Sequence, residues 1–168
     1  MLFHDSDVSL CELSLDDDRR ADSVYDLGRR SYAVEAELIG SNAIPALHET
    51  LAEMRTRPVR WFGALTASDE LCAFVAWRNL DEARHVDLDR VCVDPRWFRR
   101  GLASRLIRQL LDDLEGVERV SVSTGADNHP ATSLYESLGF VGVGMAEPVP
   151  GLRVAEFEIV LVTDSRGA

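Results

Sequence analysis

Asp87–Gly116, DLDRVCVDPRWFRRGLASRLIRQLLDDLEG, decides how the rest of the chain is read. It divides into a run that reads as a buried strand through Val93, an arginine-rich loop and a stretch of helical periodicity. Pro95 ends the run, because it brings no N–H to a strand ladder. Leu102, Leu106, Leu110 and Leu114 form one row, with Ala103, Ile107 and Leu111 beside it. That is the broad apolar face of a helix. Gly101 stands at its start and Gly116 is the expected stop. A helix opening at a glycine leaves its first N–H groups unpaired, with the positive dipole end behind them. Such an end holds phosphate. Arg96, Arg99, Arg100, Arg105 and Arg108 fall in the same acid-free segment, inside a chain of net charge -11. The loop and helix start therefore read as an anion site. An ordinary strand–loop–helix with solvated arginines fits this stretch alone equally well.

With 168 residues, 46% of them hydrophobic, the chain is long enough for one domain, 1–168, with a real core. No apolar run is long enough to span a bilayer. The N-terminal MLFHDSDVSL lacks the basic patch and greasy run of a signal peptide, so a cytoplasmic protein is expected. Cys11, Cys72 and Cys92 are odd in number and lack C-x-x-C spacing, so they read as buried thiols in strands. No His/Cys/Asp spacing supports a metal. The balance of 18 basic to 29 acidic residues argues against nucleic acid as a partner. All 18 basic residues are arginine, which removes Schiff-base and P-loop lysine chemistry.

Working outward, Val8–Leu15 reads as a strand. Asp16–Asp18 caps a helix from about Arg19 to Ser31, and Tyr32–Ile39 either extends it or forms a loop. Pro45 opens a second helix to about Arg55, closed by Pro58. Trp61–Thr66 and Leu71–Asn79 form a hairpin, Asp81–Arg84 a turn, and His85–Val93 the next strand. Beyond the central helix come a strand at Arg119–Ser123, a loop at Gly125–Asn128 and a short helix at Pro130–Leu138. Strands at Phe140–Met145 and Leu152–Val162 follow, joined by a turn at Pro148–Gly151, and a frayed tail from Thr163. The order is strand, helix, helix, three strands, helix, strand, helix, two strands. It predicts an α/β (α+β) fold with a mixed, mostly antiparallel sheet of about seven strands and helices on both faces. No G-x-G-x-x-G follows a strand.

A second segment is Asn128-His-Pro-Ala131-Thr-Ser-Leu134-Tyr135-Glu-Ser-Leu138-Gly139-Phe140. Together with Val93-Asp-Pro95 and Arg99-Arg100-Gly101-Leu102-Ala103, it closely resembles the GNAT superfamily of acyl-CoA-dependent N-acetyltransferases. The element order matches that family's fold over nearly the whole chain, while the part before Arg60 carries no family motif. The resemblance implies acetyl-CoA lying where the strands ending at Val93 and Ser123 splay apart. Main-chain groups of Val91 and Val93 would hold the pantetheine amides as an added strand would. Amides of Arg99, Arg100, Gly101, Leu102, Ala103 and Ser104 would wrap the pyrophosphate. Phe98 stands where the family commonly has glutamine or arginine. Asn128 would contact the cofactor arm.

Tyr135 matches the family's tyrosine that protonates the departing thiolate, a step suited to a nearby phenol. The attacking amine must lose a proton, and an acid at the place of Asp87 is the base in some members. Asp87, Asp89 and His85 share one face by alternation. A strand N–H near Val91 would hold the oxyanion. The implied activity is transfer of acetyl from acetyl-CoA to a primary amine by direct attack in a ternary complex. The alternatives are a catalytically silent acyl-CoA-binding module, which Phe98 favours, and an interaction domain keeping only the fold. The acceptor, a small-molecule or peptide amine, would meet segments offering Tyr32, Glu35, Glu37, Trp61, Trp77 and Glu147. An exposed last strand would allow a homodimer across a two-fold. No nucleic acid or membrane partner is expected.

Overall fold

The computed structural model describes residues 7–80 and 84–162. Seven strands form one sheet: β1 (Val8–Leu13), β2 (Arg60–Thr66), β3 (Leu71–Asn79), β4 (His85–Val93), β5 (Arg119–Gly125), β6 (Val141–Val149) and β7 (Leu152–Val160). Their order across the sheet is β1-β2-β3-β4-β5-β7-β6. Only β4 and β5 are parallel among these pairs, and the helix between them is the crossover such a pair requires. The mixed, mostly antiparallel sheet of the sequence reading is what the chain adopts.

Helices cover both faces. α1 (Asp18–Ile39) and α2 (Leu51–Arg55) bury Val24, Leu27 and Met54 against Trp61, Phe74 and Cys92. α3 (Leu102–Asp113) and α4 (His129–Ser137) bury Leu106, Ile107 and Tyr135 against Val75, Val120 and Phe157. β3 is buried over seven consecutive residues, Leu71 to Trp77, because helices cover both its faces.

Several boundaries move. α1 runs through Tyr32 to Ile39, so the open segment is helix. Asp17 caps its start by accepting the Arg20 N–H, and Gly40 ends it at φ 64°. Pro45 opens only a 3-10 turn, Pro45–Leu47. The second helix begins afresh at Thr50, where Thr50 and Glu53 exchange side-chain and backbone hydrogen bonds in a capping box. α3 closes at Leu114 rather than Gly116. β6 continues through Pro148, which an edge strand tolerates. The last strand, β7, lies inside the sheet, so the exposed edge beside it is β6. Most of the expected turn at Asp81–Arg84 and the tail from Thr163 lie outside the described residues.

Candidate active site

The parallel ladder is short. His85, Val86, Asp87 and Leu88 pair with Arg119 to Val122, and there the strands part. Beyond this point, 89–93 of β4 and 123–125 of β5 diverge. A register shift between Ala76 and Trp77 lies opposite Asp89, which is the extra residue of a bulge in β4. The bulge turns Asp89 and Arg90 together toward α1 and α2. The fork opens into a cleft of about 450 Å³. Its walls come from both sides of the sheet: Tyr32 and Glu35 of α1 on one, Ala131 and Tyr135 of α4 on the other.

The anion loop follows β4. Asp94 is 1% exposed and caps the 3-10 turn Pro95–Trp97. It accepts from the Arg96 N–H at 3.0 Å, from Arg96 Nη2 at 3.0 Å and from Arg30 Nη2 at 2.8 Å. Burial works to raise its pKa, but the hydrogen bonds from Arg96 and Arg30 outweigh it and hold the carboxyl at about 2. Arg99 and Gly101 both have positive φ, 62° and 71°. A Cβ added to Gly101 would meet nothing within 4 Å. α3 has no side-chain cap, and its first helical bond runs from Arg105 N to Gly101 O. The N–H groups of Leu102, Ala103 and Ser104 therefore lack helical partners. This open, uncapped start fits a diphosphate. The five arginines do not act alike. Arg96 folds back onto Asp94 and Glu70, and Arg105 reaches the Val8 carbonyl at 3.4 Å. Arg100 lies over the Trp97 ring, 4.6 Å from its centroid.

Tyr135 is 4% exposed, its ring packed on Phe140 and Phe157 at centroid distances of 5.9 and 5.8 Å. Burial first, then the Glu35 carboxylate and Cys92, push its phenol well above the ordinary range. It stays protonated, as a proton donor must. Asn128 caps α4 by accepting from the Ala131 N–H, and donates to Thr124 Oγ1 at 3.2 Å. Thr124 Oγ1 in turn donates to Glu35 Oε1 at 3.0 Å, and the Gly125 N–H reaches the same oxygen at 3.1 Å.

Asp87 stands elsewhere. It lies in the paired part of the ladder and is not among the residues lining the cleft. Ser121 Oγ donates to it at 3.0 Å, and His85 Nε2 lies 2.9 Å from Ser121 Oγ. Arg119 donates to His85 Nδ1 at 3.1 Å, which leaves Nε2 to carry the proton. Asp89 does line the cleft, but Arg57 holds it with bonds of 2.7 and 2.8 Å. Arg90 Nη2 donates to Glu49 Oε1 at 2.8 Å, closing a second pair beside the first. Burial pushes the Cys72 thiol up to about 11 and the Cys92 thiol up to about 12, so neither is a thiolate nucleophile. Of the named acceptor-side residues, Tyr32 and Glu35 line the cleft. Trp61 and Trp77 belong to the core, and Glu147 accepts from the Gly151 N–H. Glu49, Arg57, Arg90, Thr124 and Glu156 were not singled out from the sequence. No cluster of metal-ligating side chains occurs among the described residues, and none of their helices is long and apolar enough to cross a membrane.

The sequence profile of the Acetyltransferase (GNAT) family matches residues 21–140. UPF0157 protein YqkA of Bacillus subtilis is 28% identical over 129 residues, covering 77% of this chain and 37% of that protein. The [Ribosomal protein bS18]-alanine N-acetyltransferase of Salmonella typhimurium is 44% identical over 79 residues, covering 45% of this chain and 51% of the other. The chain thus spans about half the length, or less, of these curated relatives. The crystal structure of spermidine N-acetyltransferase from Vibrio cholerae, in complex with CoA and spermine, superposes with a TM-score of 0.70 at 18% identity, covering 93% of this chain and 96% of that one. At that identity the likeness is one of fold.

Proposed function

Because the chain belongs to the Acetyltransferase (GNAT) family, we propose that it moves an acetyl group from acetyl-CoA to a primary amine by direct attack in a ternary complex. The carrying observation is the fork, where a buried phenol from one face of the sheet and a carboxylate from the other line a single cleft. In this reading the free main chain of β4 around Val91 and Val93 takes the pantetheine arm. Amides from Arg99 through Gly101, Leu102 and Ala103 to Ser104 take the diphosphate, with Arg99 and Arg100 supplying charge. Asn128 borders the arm while pinning Thr124. Acetyl-CoA supplies the thioester, Tyr135 the proton for the departing sulfur, and an N–H near Val91 a bond to the oxyanion.

Charge supports an amine arriving as a cation. Four carboxylates line the cleft, Glu35, Glu49, Asp89 and Glu156, against two guanidiniums, Arg57 and Arg90. Both arginines are already paired with acids, so an acceptor carboxylate finds no free cation there. Small amines and peptide N-termini fit better than free amino acids. Asp87, in the paired stretch outside the cleft lining, serves in this reading with His85 and Ser121 to pin the base of the fork. We take 1–168 as one cytoplasmic acetyltransferase domain, and place a two-fold contact between copies at β6, which carries no charged residue from Val141 to Ala146.

Titration calorimetry with acetyl-CoA, then an amine panel followed by thiol release with products identified by mass, tests the reading. No heat at high acetyl-CoA concentration sinks it. Bound CoA without product from any amine favours the silent acyl-CoA module, for which Phe98, 41% exposed at the loop, is the specific argument.

A further inference from the structure

We propose that Glu35 of α1 is the group that takes the proton from the acceptor amine; this deepens, and rests on, the acetyl-transfer reading. The lining carboxylates are not equivalent. Asp89 is bound bidentately by Arg57, and Glu49 is held by Arg90. In both, guanidinium nitrogens already lie against the two carboxylate oxygens, so neither presents an uncommitted oxygen to an amine. Glu156 is exposed on β7, with no hydrogen bond fixing it among the described residues. Glu35 alone combines fixed position with an open oxygen. Oε1 is held by two neutral donors, the Thr124 hydroxyl and the Gly125 N–H. Oε2 takes no hydrogen bond among the described residues, and it is not one of the buried unsatisfied atoms, so it is open to the cleft that Glu35 lines.

The backbone is arranged for this placement. A Cβ added to Gly125 would lie 2.6 Å from Ile39 Cγ2 and 3.4 Å from Glu35 Oε1. A side chain there would force Ile39 to move and crowd the Glu35 carboxylate, so glycine leaves room for Glu35 to take the Gly125 N–H. The phenol of Tyr135 feels the same carboxylate from the other side of the sheet.

The step balances as follows. The ammonium gives one proton to Glu35, which passes it to water. The nitrogen lone pair forms a C–N bond to the thioester carbonyl carbon. The C–S bond breaks with its electrons on sulfur, which takes the Tyr135 proton. The proton shed by the new amide nitrogen restores the phenol, and one proton is released in all.

Glu35→Gln is the informative variant, because its amide oxygen can keep both hydrogen bonds while the side chain can no longer be protonated. Thermal unfolding and acetyl-CoA calorimetry should match the wild type. With ethylamine near neutral pH, kcat should fall by about 10²-fold or more, the range of a lost general base, and climb with pH as the free amine appears. Trifluoroethylamine, already neutral, should show little loss. A carbon-13 carboxyl titration should also move the Glu35 signal when ethylamine is added to the CoA-bound protein. A Glu35→Gln enzyme with a wild-type pH profile on ethylamine overturns the assignment and leaves acetyl transfer standing. A wild type that acetylates neither amine nor any member of the panel overturns both.

Discussion

Asp94→Asn tests whether the buried carboxylate before Pro95 holds the anion loop in place. The substitution keeps an acceptor for the Arg96 N–H but turns Oδ2 into a donor, facing Arg30 at 2.8 Å and Arg96 Nη2 at 3.0 Å. The native carboxyl lies at about 2 against an ordinary 3.8. At 1.36 kcal/mol per unit of pKa, that is about 2–3 kcal/mol of stability near neutral pH. Two charge-assisted bonds would give more, but Arg30 and Arg96 are 49% and 66% exposed and water recovers part of the loss. For a chain of this size the variant should melt roughly 5–10 °C lower. Because the native value is depressed, the contribution is complete above the unfolded carboxyl's pKa and fades as pH falls through about 2. Urea unfolding of both proteins should therefore show a gap near pH 7 that narrows near pH 3. A gap below about 0.5 kcal/mol at neutral pH, or one that does not change with pH, refutes the reasoning. Acetyl-CoA affinity should drop with the loop's order, and calorimetry reads that separately.

Tyr135→Phe should bind acetyl-CoA normally and lose about 10²-fold in kcat, as expected when a general acid is removed; unchanged turnover takes Tyr135 out of the reaction. Gly101→Ala meets no steric obstacle, so the left-handed φ of 71° sets its stability cost at about 1 kcal/mol. The new methyl enters the open space assigned to the diphosphate, so calorimetry should show affinity falling by about tenfold or more; equal affinity moves the anion site elsewhere. Val143 on the unpaired edge of β6 is 54% exposed, and Val143→Lys should shift sedimentation from dimer to monomer. A wild type that is monomeric at every concentration removes the two-fold contact.

What the sequence made legible was local. β3 and β4 are dense in strand formers, and the α3 leucines repeat every fourth residue, so both could be bounded closely. The second helix starts later than its proline suggests, because Pro45 opens only a 3-10 turn while Thr50-Leu-Ala-Glu53 forms the capping box that starts α2. The site is a different matter. Arg57 meets Asp89 across 32 residues, Arg90 meets Glu49 across 41, and Thr124 meets Glu35 across 89. Pairings at such separations leave no trace in periodicity. A weaker signal did exist for Glu35: it lies seven residues after Gly28 and three after Tyr32, on the inward stripe that buries Ala21 and Val24.

The choice between Asp87 and Glu35 shows where pattern reading reaches its limit. Alternation places Asp87 on the face toward α1, but it says nothing about where along β4 the partner strand lets go. That point coincides with the bulge at Asp89 and the charged pair packed on it, neither of which has a local signature. The ladder ends at Leu88, one residue beyond Asp87. Had it ended two residues earlier, Asp87 would face the opening and no carboxylate from α1 would be required. As folded, Asp87 sits in the paired stretch beside Ser121 and Arg78, outside the cleft lining, while Glu35 of α1 lines the cleft. In the reading proposed above, the length of four paired residues decides which carboxylate meets the amine.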